Sequence, residues 1–68
     1  MSNRIPRKAN FIVGKMLMDT NLDKKGDILH VSKNDYGWSA LNIRTQKYGH
    51  MFIDMLRNEE IFKLINIE

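Results

Sequence analysis

The chain reads as an all-β (mainly β) fold of five short strands with one short helical turn before the last, and three observations lead there. Apolar and polar residues alternate with period two over short runs. In Asp27-Ile28-Leu29-His30-Val31-Ser32 this sets Leu29 and Val31 on one face and Ile28 and His30 on the other. Polar or turn-forming segments punctuate these runs at short intervals: Asp19 to Gly26, Lys33 to Gly37 and Arg44 to Lys47. In the C-terminal third, a helix from Phe52 to Ile65 would need the stripes Ile53-Leu56-Glu60-Leu64 and Phe52-Met55-Glu59-Phe62, and a glutamate interrupts each. That helix, and with it an α+β fold, stays open as the alternative.

Taken in order, residues 1–8 are polar, hold the single proline, Pro6, and read as a flexible basic arm; residues 9–68 form one small domain. The first strand lies within Asn10 to Met18. Gly14 inside it argues against a helix centre and marks a bulge or a close backbone approach. The loop Asp19 to Gly26 is dense in short polar side chains that hydrogen-bond the local backbone. Strand two runs from Asp27 to Ser32, and Gly37 then supplies a turn position where positive φ costs little. Strand three, Trp38 to Ile43, forms a short hairpin with strand four, Tyr48 to Ile53. Asp54 to Glu60 is the helical turn, with Asp54 as its N-cap, and Ile61 to Ile67 is the last strand.

Size and composition exclude much. A chain of 68 residues buries only about 60% of its unfolded surface, which leaves room for one small core and not for a layered cofactor-binding sheet. Without cysteine there is no disulfide, no thiol catalysis and no Cys-based zinc site. No apolar run approaches the roughly 18 residues that span a bilayer. The basic start at Arg4, Arg7 and Lys8 leads into an apolar stretch broken by Lys15, which is not a signal peptide. The expectation is a soluble cytoplasmic protein. Seven Lys, seven Asn and eight Ile, all with A/T-rich codons, suggest an A/T-rich genome such as a phage or a low-GC bacterium; for a phage protein the compartment is the host cytoplasm.

The net charge of +3 is uneven. Residues 1–50 carry nine Lys/Arg against four Asp/Glu, whereas residues 51–68 carry Arg57 and Lys63 against Asp54, Glu59, Glu60 and Glu68. A basic region of this kind suits a polyanion, although charges spread singly also serve simply to solvate a surface.

The segments Lys24-Lys25-Gly26-Asp27-Ile28-Leu29-His30-Val31, Gly37-Trp38 and Tyr48-Gly49-His50-Met51-Phe52 resemble the Src-homology-3-like small β-barrel superfamily. They look like its Lys-Gly-Asp entry to the second strand, its Gly-Trp opening the third and its Gly starting the fourth. The likeness covers about half the chain and implies a small five-stranded barrel. The eukaryotic family's proline-rich peptide groove is a row of aromatics, of which only Trp38 has a counterpart here. Ala9-Asn10-Phe11-Ile12-Val13 and Asp54-Met55-Leu56 replace its other motifs, so polyproline recognition is not expected. The strand entry is also similar to KOW-type barrels of ribosomal and transcription-elongation proteins, whose relatives bind RNA, DNA or polymerase.

No chemistry-bearing constellation is complete. Asp19, Asn21 and Asp23 open like a calcium loop, but Lys24 stands where glycine is needed and His30 where a bidentate Glu is needed. His30 and His50 lack a third metal ligand, and Ser2, Ser32 and Ser39 lack a base and an oxyanion turn. Neither catalytic residues, nor a metal, nor a cofactor is expected. Five methionines serve a small core or an adaptable contact surface.

One group remains: Tyr36, Trp38 and Tyr48 with Lys33, Arg44, Lys47 and His50. If strands two to four are neighbours, these interleave on loops at one end, aromatics for stacking and cations for phosphates, with Arg4, Arg7 and Lys8 as a mobile arm. The expected function is a non-enzymatic binding module, a small phage or bacterial regulatory protein that binds nucleic acid or a nucleic-acid-handling machine. The alternative is a protein-protein interaction module or inhibitor of a host protein, anchored by Trp38, Tyr36 or a methionine. The oligomeric state is open because small sheets leave edges.

Overall fold

The period-two runs become one five-stranded antiparallel sheet in the computed structural model, which describes residues 3–67. The strands are β1 (Phe11–Met16), β2 (Ile28–Asn34), β3 (Gly37–Asn42), β4 (Lys47–Met51) and β5 (Phe62–Ile67), with a helix α1 (Ile53–Arg57) before the last. Their order across the sheet is β4-β3-β2-β1-β5. Strands one to four therefore meander, and β5 returns to pair with β1. The sheet is not closed, and β4 and β5 are its edges.

The long C-terminal helix does not form. After Arg57, Asn58 breaks the helix: its Oδ1 accepts from the backbone N–H of Glu60 at 2.9 Å, and its carbonyl accepts from Ile61 and Phe62. Glu59 and Glu60 thus sit in an exposed turn, the solvated place their charges require. The N-cap is Phe52, in extended conformation and without a side-chain cap, whereas Asp54, expected to cap, lies in the first turn. There its charge favours the helix dipole instead. This early helix start also ends β4 at Met51, two residues short of the sequence expectation.

Alternation places the core. Ile12 and Met16, Leu29 and Val31, Trp38 and Ala40, Met51 and Phe62 project from the inner face of the sheet, and Leu56 of α1 closes over them. Ile12, Met16, Leu29, Val31, Leu56 and Phe62 are fully buried, each worth about 1.5–3 kcal/mol relative to exposure. Met16 and Met51 fill core positions and Met55 packs against them, while Met18 is exposed; Met1 lies outside the described residues.

Gly14 has both properties its position suggested. The register between β1 and β5 shifts between Val13 and Gly14, and a methyl at Gly14 would overlap the tip of the Phe62 ring. Gly37 takes the expected positive φ, +126°, in the β2–β3 turn.

Of the segment expected to be a flexible basic arm, residues 1–2 lie outside the described residues, and from Asn3 onward the chain makes contacts with the fold. Asn3 Nδ2 donates to the carbonyls of Leu56 and Phe62, both at 2.8 Å, and the Asn3 N–H donates to Arg57 at 2.9 Å. Ile5 packs on the core and Ala9 is buried in it. One asparagine thus ties the chain start to both α1 and β5.

Candidate functional site

Among the described residues, no strand contains an aspartate or glutamate. The strands do contain Lys15, Lys33, Lys47, Lys63, His30 and His50. Among residues 3–67 the acids lie in the β1–β2 loop, the β2–β3 turn, α1 and the turn that follows it. This division between strands and loops differs from the one along the chain: Lys63 of the acidic C-terminal segment lies on a strand, and Asp19, Asp23, Asp27 and Asp35 of the basic segment lie in loops.

Register fixes what the outer face presents. One row is Phe11, Ser32, Ser39 and His50; the next is Val13, His30, Leu41 and Tyr48. A third begins with Lys63 opposite Lys15, which in turn lies opposite Ile28. The rings support one another: Phe11 meets His30 edge-on at 5.6 Å, and His50 meets Phe52 edge-on at 5.0 Å. Tyr48 is 71% and Phe52 64% exposed, far more than ordinary packing leaves an aromatic. Lys15 and Lys63 are like charges directly opposite each other, an arrangement that costs stability. Among the described residues no acid pairs with either.

The residues proposed from sequence do not form one cluster. Tyr36 is 92% exposed in the β2–β3 turn, whereas Arg44 lies in the β3–β4 turn, at the opposite end of β3. Trp38 is 6% exposed and belongs to the core, because its register position on β3 faces inward beside Met51; it is not a stacking platform. Lys33 places its ammonium 5.9 Å from the Trp38 ring centre, over the rim of the core. Lys47 opens β4, exposed, opposite Asn42. Tyr48 and His50 do share a surface, the outer face. Arg4, Arg7 and Lys8 are exposed on the anchored N-terminal segment.

Arg44 is committed elsewhere. Its Nε and Nη2 donate to the two Asp27 carboxylate oxygens at 2.7 and 2.9 Å, a bidentate pair. The same carboxylate accepts from the Lys24 N–H and from Asn42 Nδ2, both at 2.8 Å. Asn42 Nδ2 also donates to Asp23 at 2.7 Å, and its Oδ1 accepts the N–H groups of Arg44 and Thr45. This node pins the β1–β2 loop to the β3–β4 turn. The Arg44 guanidinium, first among these donors, holds the Asp27 carboxyl well below the usual carboxylate range. The loop itself is stitched as its composition suggested: Thr20 Oγ1 accepts from the Asp23 N–H, and Asp19 Oδ1 from the Lys25 N–H.

A recess of about 40 Å³ lies under Leu22, lined by Ala40, Gly49 and Met51 among others. Small-molecule sites are typically about 300 Å³ or more. Among the described residues no three His, Asp or Glu side chains converge as a metal site would require, and no helix is long and apolar enough to cross a membrane.

Comparison with protein families, curated proteins and solved structures finds no match.

Phe11, Lys15, Phe52 and Lys63 belong to the outer face yet are not among the site residues expected from the sequence. Period two shows that Phe11 and Lys15 share a face of β1. Only the register, with its shift at Gly14, brings Lys63 opposite Lys15.

Proposed function

We propose that this protein is a non-enzymatic binding module for nucleic acid, alone or within a nucleic-acid-handling machine, and that the outer face of the sheet is its contact surface. The observation that carries this reading is that, among the described residues, the strands hold no acid, while on the outer face Lys15 and Lys63 oppose each other. A surface that keeps like charges together at a cost in stability is suited to a polyanion, which removes that cost on binding. The element order, with a long β1–β2 connection, two hairpins and a helix before β5, supports placing the chain among Src-homology-3-like small barrels of the KOW-type or phage-encoded kind.

Titration of a labelled oligonucleotide in low salt tests the reading. Affinity should fall with log salt at a slope of roughly −0.7 per phosphate contacted on a single strand and −0.9 on a duplex. If neither DNA nor RNA shifts the anisotropy at low salt, the reading is wrong.

A second reading, docking to a host protein as a phage or bacterial regulator, is favoured by the open edge of β4 and by the exposed apolar side chains Leu22 and Phe52. It requires a complex that survives nuclease and high salt.

A further inference from the structure

Resting on that reading, we infer that the nucleic acid is single-stranded and that Tyr48, His50 and Phe52 take successive unpaired bases. These rings occupy alternate positions along β4 and its continuation, so they fall on one side of the chain. β4 is an edge strand, and among the described residues no other strand lies on the far side of this ladder. All three rings are exposed, and the edge-on contact between His50 and Phe52 fixes the tilt of one against the other.

Ring geometry selects the strandedness. The His50 and Phe52 rings stand at 84° to each other with centroids 5.0 Å apart, and Tyr48 precedes His50 by two residues of extended chain, about 7 Å, twice the rise of about 3.4 Å between stacked bases in one strand of a duplex. Bases seated on neighbouring rings are therefore unstacked from one another. A single strand adopts that arrangement readily, whereas a duplex must be opened to reach it. Stacking on each ring replaces the lost base-base contact, which a smooth phosphate-binding surface without rings cannot do. Beyond Tyr48 the face continues across Leu41 and His30 to β1, and Lys15 and Lys63 lie in the next row. From β4 to β1 is three strands, about 14 Å, so the lysine pair meets phosphates a few nucleotides beyond the ladder.

The test is fluorescence anisotropy with a labelled 12-nucleotide oligothymidine and a duplex of the same length at one salt concentration. The single strand should bind at least 10-fold more tightly. Tyr48→Ala and Phe52→Ala should each weaken it about 5-fold or more, Tyr48→Phe should retain binding, and Tyr36→Ala, at the exposed ring in the β2–β3 turn and outside the β4 ladder, should change nothing. Retained Trp38 emission and β-sheet circular dichroism establish that each variant is folded. Duplex binding as tight as single-strand binding, or Ala variants at Tyr48 and Phe52 that bind normally, would overturn this inference and leave the proposed function standing. If neither oligonucleotide binds, the inference fails, and if RNA of the same length does not bind either, the proposed function fails with it.

Discussion

Phe62 occupies the volume in which a side chain at Gly14 would begin: the tip of its ring sits over the glycine Cα, across the β1–β5 pair. Phe62 is fully buried, and Ile12 and Met16 on either side of Gly14 are too, so the ring has nowhere to withdraw. Gly14→Ala should therefore destabilise the domain by about 2–3 kcal/mol, the cost of overpacking a closed core. Pairing it with Phe62→Leu should recover part of that loss. Urea unfolding followed by the emission of Trp38, the single and buried tryptophan, reads both. A Gly14→Ala variant as stable as the parent, or costs that simply add, would contradict this packing.

Acid should attack the Asp27 node. Arg44, the Lys24 N–H and Asn42 hold the folded carboxyl below its ordinary value of 3.8, so the unfolded state binds the proton first. The contribution to stability is complete above that ordinary value and is lost as pH falls below it toward the folded value. Tm should accordingly drop between about pH 5 and pH 2 by more in the parent than in Asp27→Asn, which should already be several degrees less stable at pH 7. Equal acid sensitivity in the two proteins would show that Asp27 is not the responsible group.

Asn42→Ala isolates the neutral half of that node. The change removes a buried donor shared by Asp23 and Asp27 and an acceptor for two N–H groups, and should cost about 2–3 kcal/mol. Faster amide exchange at Arg44 and Thr45 would localise the damage to the β3–β4 turn.

Lys63→Glu should raise Tm by about 2–4 °C, because it replaces a cross-strand repulsion with Lys15 by an attraction. The same change should weaken oligonucleotide binding. Stability and binding moving in opposite directions is the mark of a residue kept for its partner rather than for the fold. A variant that loses stability and keeps binding contradicts that role.

Asn3→Ala should loosen the junction of α1 and β5, since the Leu56 and Phe62 carbonyls both lose their side-chain donor. A loss of about 1–2 kcal/mol is expected in thermal or urea unfolding. No change would mean that the Asn3 backbone contact to Arg57 suffices.

The strands were legible because alternation and turn chemistry act locally: Leu29 and Val31 face the core as their period requires, and Gly14 and Gly37 do what only glycine does easily. The outer face was only half legible. Tyr48 and His50 were recognised as candidates, but Trp38 was assigned to the surface because composition cannot tell an inward aromatic from an outward one. Arg44 looked free because its partner, Asp27, lies 17 positions back and no short pattern links the two. Lys63 carried no signal at all, since its meaning depends on the register shift at Gly14. What escaped the sequence was register, which is decided by the whole sheet and not by any one segment.

The claim that the outer face is the contact surface is tested most directly by two variants of equal charge. Lys15→Gln/Lys63→Gln removes two cations from the sheet, and Lys24→Gln/Lys25→Gln removes two from the β1–β2 loop. Titrated with the same single-stranded oligonucleotide, the first should bind about 10-fold or more weakly, with a salt slope shallower by about 1.4, and the second within about 2-fold of the parent. Equal losses in the two variants would mean that the protein is only diffusely basic, and would contradict a binding face on the sheet.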